Sequence, residues 1–155
     1  MKRTILLLLL TATLFSACKK DNSTPVETNY ILFKVDGAEK TVKTCQGVYF
    51  KSNSINFTRI TVVGHTDNNE QIGLDVVNPV VGQSAGSSQA GLYSVVAGVD
   101  TTFYMSNNNN IITINSLTTD RVTGTFQFTG TNYAGKNPGS KNITEGTFGC
   151  KVIAN

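Results

Sequence analysis

The chain has no tryptophan, one histidine and three cysteines, and only 15% of its residues carry charge. Without tryptophan, a carbohydrate site built by ring stacking has to rest on tyrosine or phenylalanine. The phenylalanines fall mostly at strand positions expected to face inward, which leaves Tyr104 and Tyr133, close to loops, as candidate ligand-binding residues. The single histidine, His65, and the absence of a Gly-x-Ser-x-Gly elbow leave a hydrolytic triad without its usual parts. His65, Asp67, Asn69 and Glu70 cluster between two expected strands. They lack the glycine and the distal bidentate glutamate of a calcium loop, and one histidine falls short of a zinc site. No metal or other cofactor is expected. The segment Gly130 to Asn137 comes one residue short of a phosphate-binding loop, with Asn137 in place of the magnesium-binding hydroxyl and Pro138-Gly139 opposing a following helix. No Lys/Arg stripe is interleaved with aromatics, so no nucleic-acid partner is expected. Heptads and internal repeats are absent too.

What the chain does have is strands. Ile31, Phe33 and Val35 share one apolar face ahead of an Asp36-Gly37 turn. Strand regions are expected near Lys40–Phe50, Asn56–Gly64, Ile72–Val77, Leu92–Val96, Thr102–Met105 and Ile111–Leu117. The run Asn107 to Asn110 reads as a hairpin turn. Val122, Gly124, Phe126 and Phe128 alternate with Thr123, Thr125, Gln127 and Thr129, the pattern of an antiparallel sheet with one packed and one wet face. Phe148, Cys150 and Val152 share a face of the last strand, Thr144–Ile153. About nine short strands with turn signals at this spacing predict a single all-β domain over residues 30–155, a sandwich or a barrel. The polar stretch Asn78 to Gly91 is a second candidate surface, or a plain connection.

The first residues have a different character. Met1-Lys2-Arg3 is basic, and Ile5 to Phe15 is an almost unbroken apolar run of signal-peptide length, too short for a bilayer-spanning helix. No later run is long enough to span either. Leu14-Phe15-Ser16-Ala17-Cys18 resembles the lipobox of bacterial lipoproteins. The resemblance implies a leader over residues 1–17 and diacylglycerol on the Cys18 sulfur, with residues 18–29 as lipidated cysteine and flexible tether. Two or more acyl chains hold a protein stably on a membrane. The formal charge of +3 includes Lys2 and Arg3, which processing would remove, so the mature chain is near neutral. With Cys18 acylated, Cys45 and Cys150 are the remaining thiols in an oxidising compartment. An even pair there favours a Cys45–Cys150 disulfide, the alternative being two separate buried thiols.

Phe15-Ser16-Ala17-Cys18-Lys19-Lys20-Asp21 is similar to lipoprotein leaders of the Bacteroidota. The mature part resembles small all-β lipoproteins of that phylum through Val35-Asp36-Gly37, Ile112 to Ser116, Val122 to Phe128 and Ile143 to Phe148. The likeness implies an outer-membrane location, on the periplasmic face or the cell surface. It also implies a candidate O-glycosylation at Thr101 within Asp100-Thr101-Thr102. The resulting expectation is a lipid-anchored, non-catalytic binding or scaffold module. Its partners would be the membrane and, beyond it, envelope proteins or glycans. The alternatives are capture of a glycan or small ligand by loops, or a hydrolase whose dispersed site draws on His65, Asp67, Asp75 and Glu145.

Overall fold

A computed structural model describes residues 28–84, 88–106, 110–132 and 138–154. Every regular element among them is a β-strand. These are β1 (Tyr30–Val35), β2 (Ala38–Val42), β3 (Thr44–Ser52), β4 (Phe57–His65), β5 (Glu70–Val77), β6 (Gln89–Ala97), β7 (Asp100–Ser106), β8 (Ile111–Leu117), β9 (Arg121–Asn132) and β10 (Gly139–Ala154). Residues 1–17, which are expected to form a leader, Cys18 and Tyr133 lie outside the described residues.

The strands form one ten-stranded sheet in the order β2-β1-β10-β3-β4-β5-β6-β7-β9-β8, with an additional β10–β9 pairing. That extra pairing closes a ring through β3, β4, β5, β6, β7, β9 and β10. Its interior has two facing sides, or layers, β3 to β7 on one and β2-β1-β10-β9-β8 on the other, which meet at Phe33–Tyr93 and at Gly91–Phe128. The layers share hydrogen bonds at two corners. At one, β10 runs parallel to β3 from Lys151↔Gln46 to Ala154↔Tyr49; at the other, β7 meets β9 at Met105↔Thr131 and Ser106↔Gly130.

The period-2 patterns explain the core. Ile60 and Val62 of β4, and Ile72, Leu74 and Val76 of β5, face Ile31, Phe33, Val122, Phe126 and Phe128 from the other layer, all buried. Phe33 meets Tyr93 edge-on across the layers, with centroids 6.3 Å apart. A Cβ on Gly91 would stand 2.5 Å from the Phe128 ring, so the glycine is what lets the two layers close at that point. Asp36 and Gly37 take φ of 50° and 85° in the two-residue β1–β2 turn, as the Asp-Gly pair predicts.

Three details differ from the sequence reading. The region Lys40–Phe50 is two strands that break at Lys43 and serve different layers. β7 and β8 do not make a hairpin: β7 pairs with β6 and β9, and β8 pairs with β9. β10 begins at Gly139, earlier than Thr144, because a bulge lies inside it. Its register shifts between Ile143 and Gly146, and Glu145 has φ of 52°. The extra residue turns Ile143 and Phe148 to the same side, which simple alternation would not allow. Cys45 and Cys150 are bonded, with S–S 2.07 Å and Cα–Cα 5.6 Å, joining β3 to β10 beside the parallel corner.

Candidate binding face

With one side of the β3–β7 layer in the core, the other side faces outward, and register places its residues in rows. One row is Gln46, Val63, Gly73, Leu92 and Met105, crossing β3 to β7 in order. Beside it runs Thr44, His65, Gln71, Ser94 and Phe103. Met105 is 61% exposed and Phe103 51%, while Val63 and Leu92 are half-buried. The middle of this apolar surface is Gly73. A Cβ there would sit 3.6 Å from the Leu92 Cβ, an ordinary contact, so nothing in the fold demands a glycine. Its effect is to leave no side chain between Val63 and Leu92, its partners on either side in the register. Glycine inside a strand often marks a bulge, a tight bend or a place where another surface comes close, and the β5 register runs without a shift through Gly73.

A polar band bounds the patch on one side. Asp75 Oδ1 accepts from Arg59 Nε at 2.6 Å and from Thr61 Oγ1 at 2.8 Å. That carboxylate raises the Arg59 pKa further above its ordinary value, first through the hydrogen bond. Beyond the band, Val48, Phe50, Phe57, Arg59 and Thr61 line a cavity of about 500 Å³, with the Phe50 and Phe57 rings tilted together at 6.1 Å.

His65 is exposed on the outward side, whereas Glu70 is buried and turned the other way. Asp67 and Asn69 lie in the exposed turn between them. Glu70 Oε1 accepts from Lys40 Nζ at 2.7 Å and from the Tyr93 hydroxyl at 2.8 Å, and Oε2 accepts from Thr66 Oγ1 at 3.3 Å. Burial pushes the Glu70 carboxyl up, but the Lys40 and Tyr93 hydrogen bonds outweigh it and hold the group below its ordinary range. Burial, reinforced by this carboxylate, drives the Tyr93 hydroxyl well above its ordinary value, so it stays protonated and donates. The arrangement pins β2 to β5 and β6. No group of three or more His, Cys, Asp or Glu among the described residues could hold a metal. Of the four residues considered for hydrolysis, His65 lines a cavity of about 290 Å³ with Thr44 and Val63. Glu145 pairs with Lys34 at 2.7 Å beside a different hollow, and Asp75 is taken by Arg59.

Tyr104 is half-buried, one side of its ring against Tyr93 at 6.0 Å and its Cβ beside Gly130, so it extends the core more than it offers a platform. Thr101 is exposed on β7, opposite Val96. The outward aromatics Phe50, Phe57 and Phe103 escape the sequence reading because their strands are apolar on both sides, and alternation then gives no phase. Gly73 carried the usable signal, a glycine between Ile72 and Leu74 that no turn requires.

Compared with protein-family models, characterised proteins and solved structures, the chain gives no match.

Proposed function

We propose that this chain is an outer-membrane lipoprotein anchored through Cys18, of the kind its leader and strand motifs resemble in the Bacteroidota. Its β-domain acts as a non-catalytic module that docks an envelope protein. The docking surface is the outward face of the β3–β7 layer, and the observation that carries this reading is Gly73 at the centre of the row Val63-Gly73-Leu92-Met105. A β-branched residue there would favour the isolated strand by roughly 0.5–1 kcal/mol, so the glycine serves something other than the stability of the domain.

The test uses that conflict. A photoreactive residue placed at Met105 in the full chain should give one adduct of defined mass in intact cells, and the same residue at Val99 should not. Gly73→Val should abolish the adduct while leaving thermal stability equal or higher. No adduct at Met105, or one that persists in Gly73→Val, removes this face from consideration. Anchoring is read separately: Cys18→Ser should abolish palmitate labelling and detergent-phase partitioning.

A further inference from the structure

The apolar side chains at one end of the domain gather where the chain enters it. β3 and β4 join through residues 53–56, and Ile55 in that turn is 72% exposed. β5 is antiparallel to β4, so it exits at the same end, where Val80 and Val81 are each 54% exposed. The Asn78 N–H donates to the Thr58 carbonyl at 2.8 Å, and Asn78 Oδ1 accepts from the Thr58 N–H at 2.9 Å. On the far side, the Gly82 N–H donates to the Ile114 carbonyl at 2.8 Å. The Val80-Val81 segment is therefore held at both ends, and presenting its side chains costs little further ordering. Phe50 and Phe57 continue the surface below the hairpin tip.

The entering chain lies at this end. β3 runs parallel to β10 and continues past its last pair, Ala154↔Tyr49, through Ser52. Tyr30 pairs with Gly149, Asn29 Oδ1 accepts from the Lys151 N–H at 2.9 Å, and the Thr28 carbonyl accepts from Arg121 at 3.0 Å. Thr28 thus sits beside the C-terminal end of β10, the end toward which β3 runs out to its hairpin. Even fully extended, the chain from Cys18 to Thr28 spans no more than about 35 Å. Lys51 and Lys151 are exposed at the same end, as is Asp120 in the β8–β9 turn, so the two lysines leave an excess of positive charge there, suited to anionic headgroups.

We infer that this end, made of Phe50, Ile55, Phe57, Val80 and Val81, rests in the lipid surface and fixes the orientation of the domain on the membrane. The inference rests on acylation of Cys18. It leaves the Gly73 face upright and open to a partner alongside, since the Arg59–Asp75 band separates the two surfaces.

Because the chain has no tryptophan, Ile55→Trp installs a unique fluorophore at the hairpin tip. Val99→Trp installs one in the β6–β7 turn, at the opposite end of the layer. Each acylated full-length variant is reconstituted into phosphatidylethanolamine–phosphatidylglycerol vesicles containing brominated acyl chains. The tryptophan at position 55 should shift to the blue and be quenched several-fold more than the one at position 99. Val80→Trp repeats the measurement on the neighbouring loop and guards against a local failure to fold in the hairpin variant. Quenching that is absent at both 55 and 80, or no greater than at 99, overturns the inference while an acylated Cys18 leaves anchoring intact. A mass spectrum showing Cys18 without lipid overturns both.

Discussion

At the scale of single residues, the most consequential group is Glu70, a buried carboxylate that the sequence offers only as one acid in a polar cluster. Its identity as a buried pin was not legible there, because the groups that make burial tolerable lie far along the chain, at Lys40 and Tyr93. Its carboxyl is held below the ordinary range in the folded state. The stabilisation it gives is therefore fully present above the unfolded value, near 4.3, and is lost as pH falls through the lower folded value. Glu70→Gln keeps an acceptor for the Tyr93 hydroxyl but leaves the Lys40 ammonium without its counter-charge. At pH 7 the variant should be less stable by about 1–3 kcal/mol. Urea titrations at a series of pH values should show the gap closing below about pH 4. A gap independent of pH would mean that the carboxylate charge contributes nothing. Ser94 is the opposite case. Its hydroxyl is buried without a hydrogen-bond partner among the described residues, so Ser94→Ala should be neutral or slightly stabilising in the same titration.

At the scale of elements, legibility depended on whether a strand has one wet face. β1, β5 and β9 alternate cleanly, and their inward residues could be read directly from the sequence. β3 and β4 carry apolar residues on both sides, which hid Phe50 and Phe57 as outward groups. β10 defeated alternation for another reason: the bulge at Glu145 changes the phase within one strand, and Gly146 leaves room there for the Phe126 ring. The disulfide was the reading that an even pair of cysteines favoured in the sequence, and the fold supplies what the sequence could not show, the close approach of Cys45 and Cys150. It closes a separation of 105 residues. Chain-entropy bookkeeping assigns such a loop about 4–5 kcal/mol, and replacing Cys45 and Cys150 together by alanine should remove about 3–5 kcal/mol. The measurement is the urea midpoint of the double variant beside that of the parent, both without reductant. A midpoint that does not move would show that the unfolded chain is already compact around this contact.

At the scale of the whole molecule, the question left by the sequence was sandwich or barrel, and the answer depends on two short corners that no local pattern announces. Parallel pairing of Lys151–Ala154 with Gln46–Tyr49 joins residues from opposite halves of the chain, and the β7–β9 corner rests on two residue pairs. If the ring is a mechanical unit, the parallel corner should carry stability beyond the disulfide next to it. A chain ended at Cys150 separates the two contributions. It keeps the bridge and the β1–β10 ladder, but loses the pairs to β3, the Val152 side chain from the core and the Val152 N–H bond to the Asp120 carbonyl at 2.8 Å. Burial of one valine and a few hydrogen bonds place the loss at about 3–4 kcal/mol. Amide exchange gives the finer test. In the parent chain the amides of Gly47 and Tyr49 should exchange only through global unfolding, and in the shortened chain through local opening at a much lower free energy. Two layers that merely stack, with no ring between them, would show neither change, because β3 would remain secured by β4 and the disulfide alone.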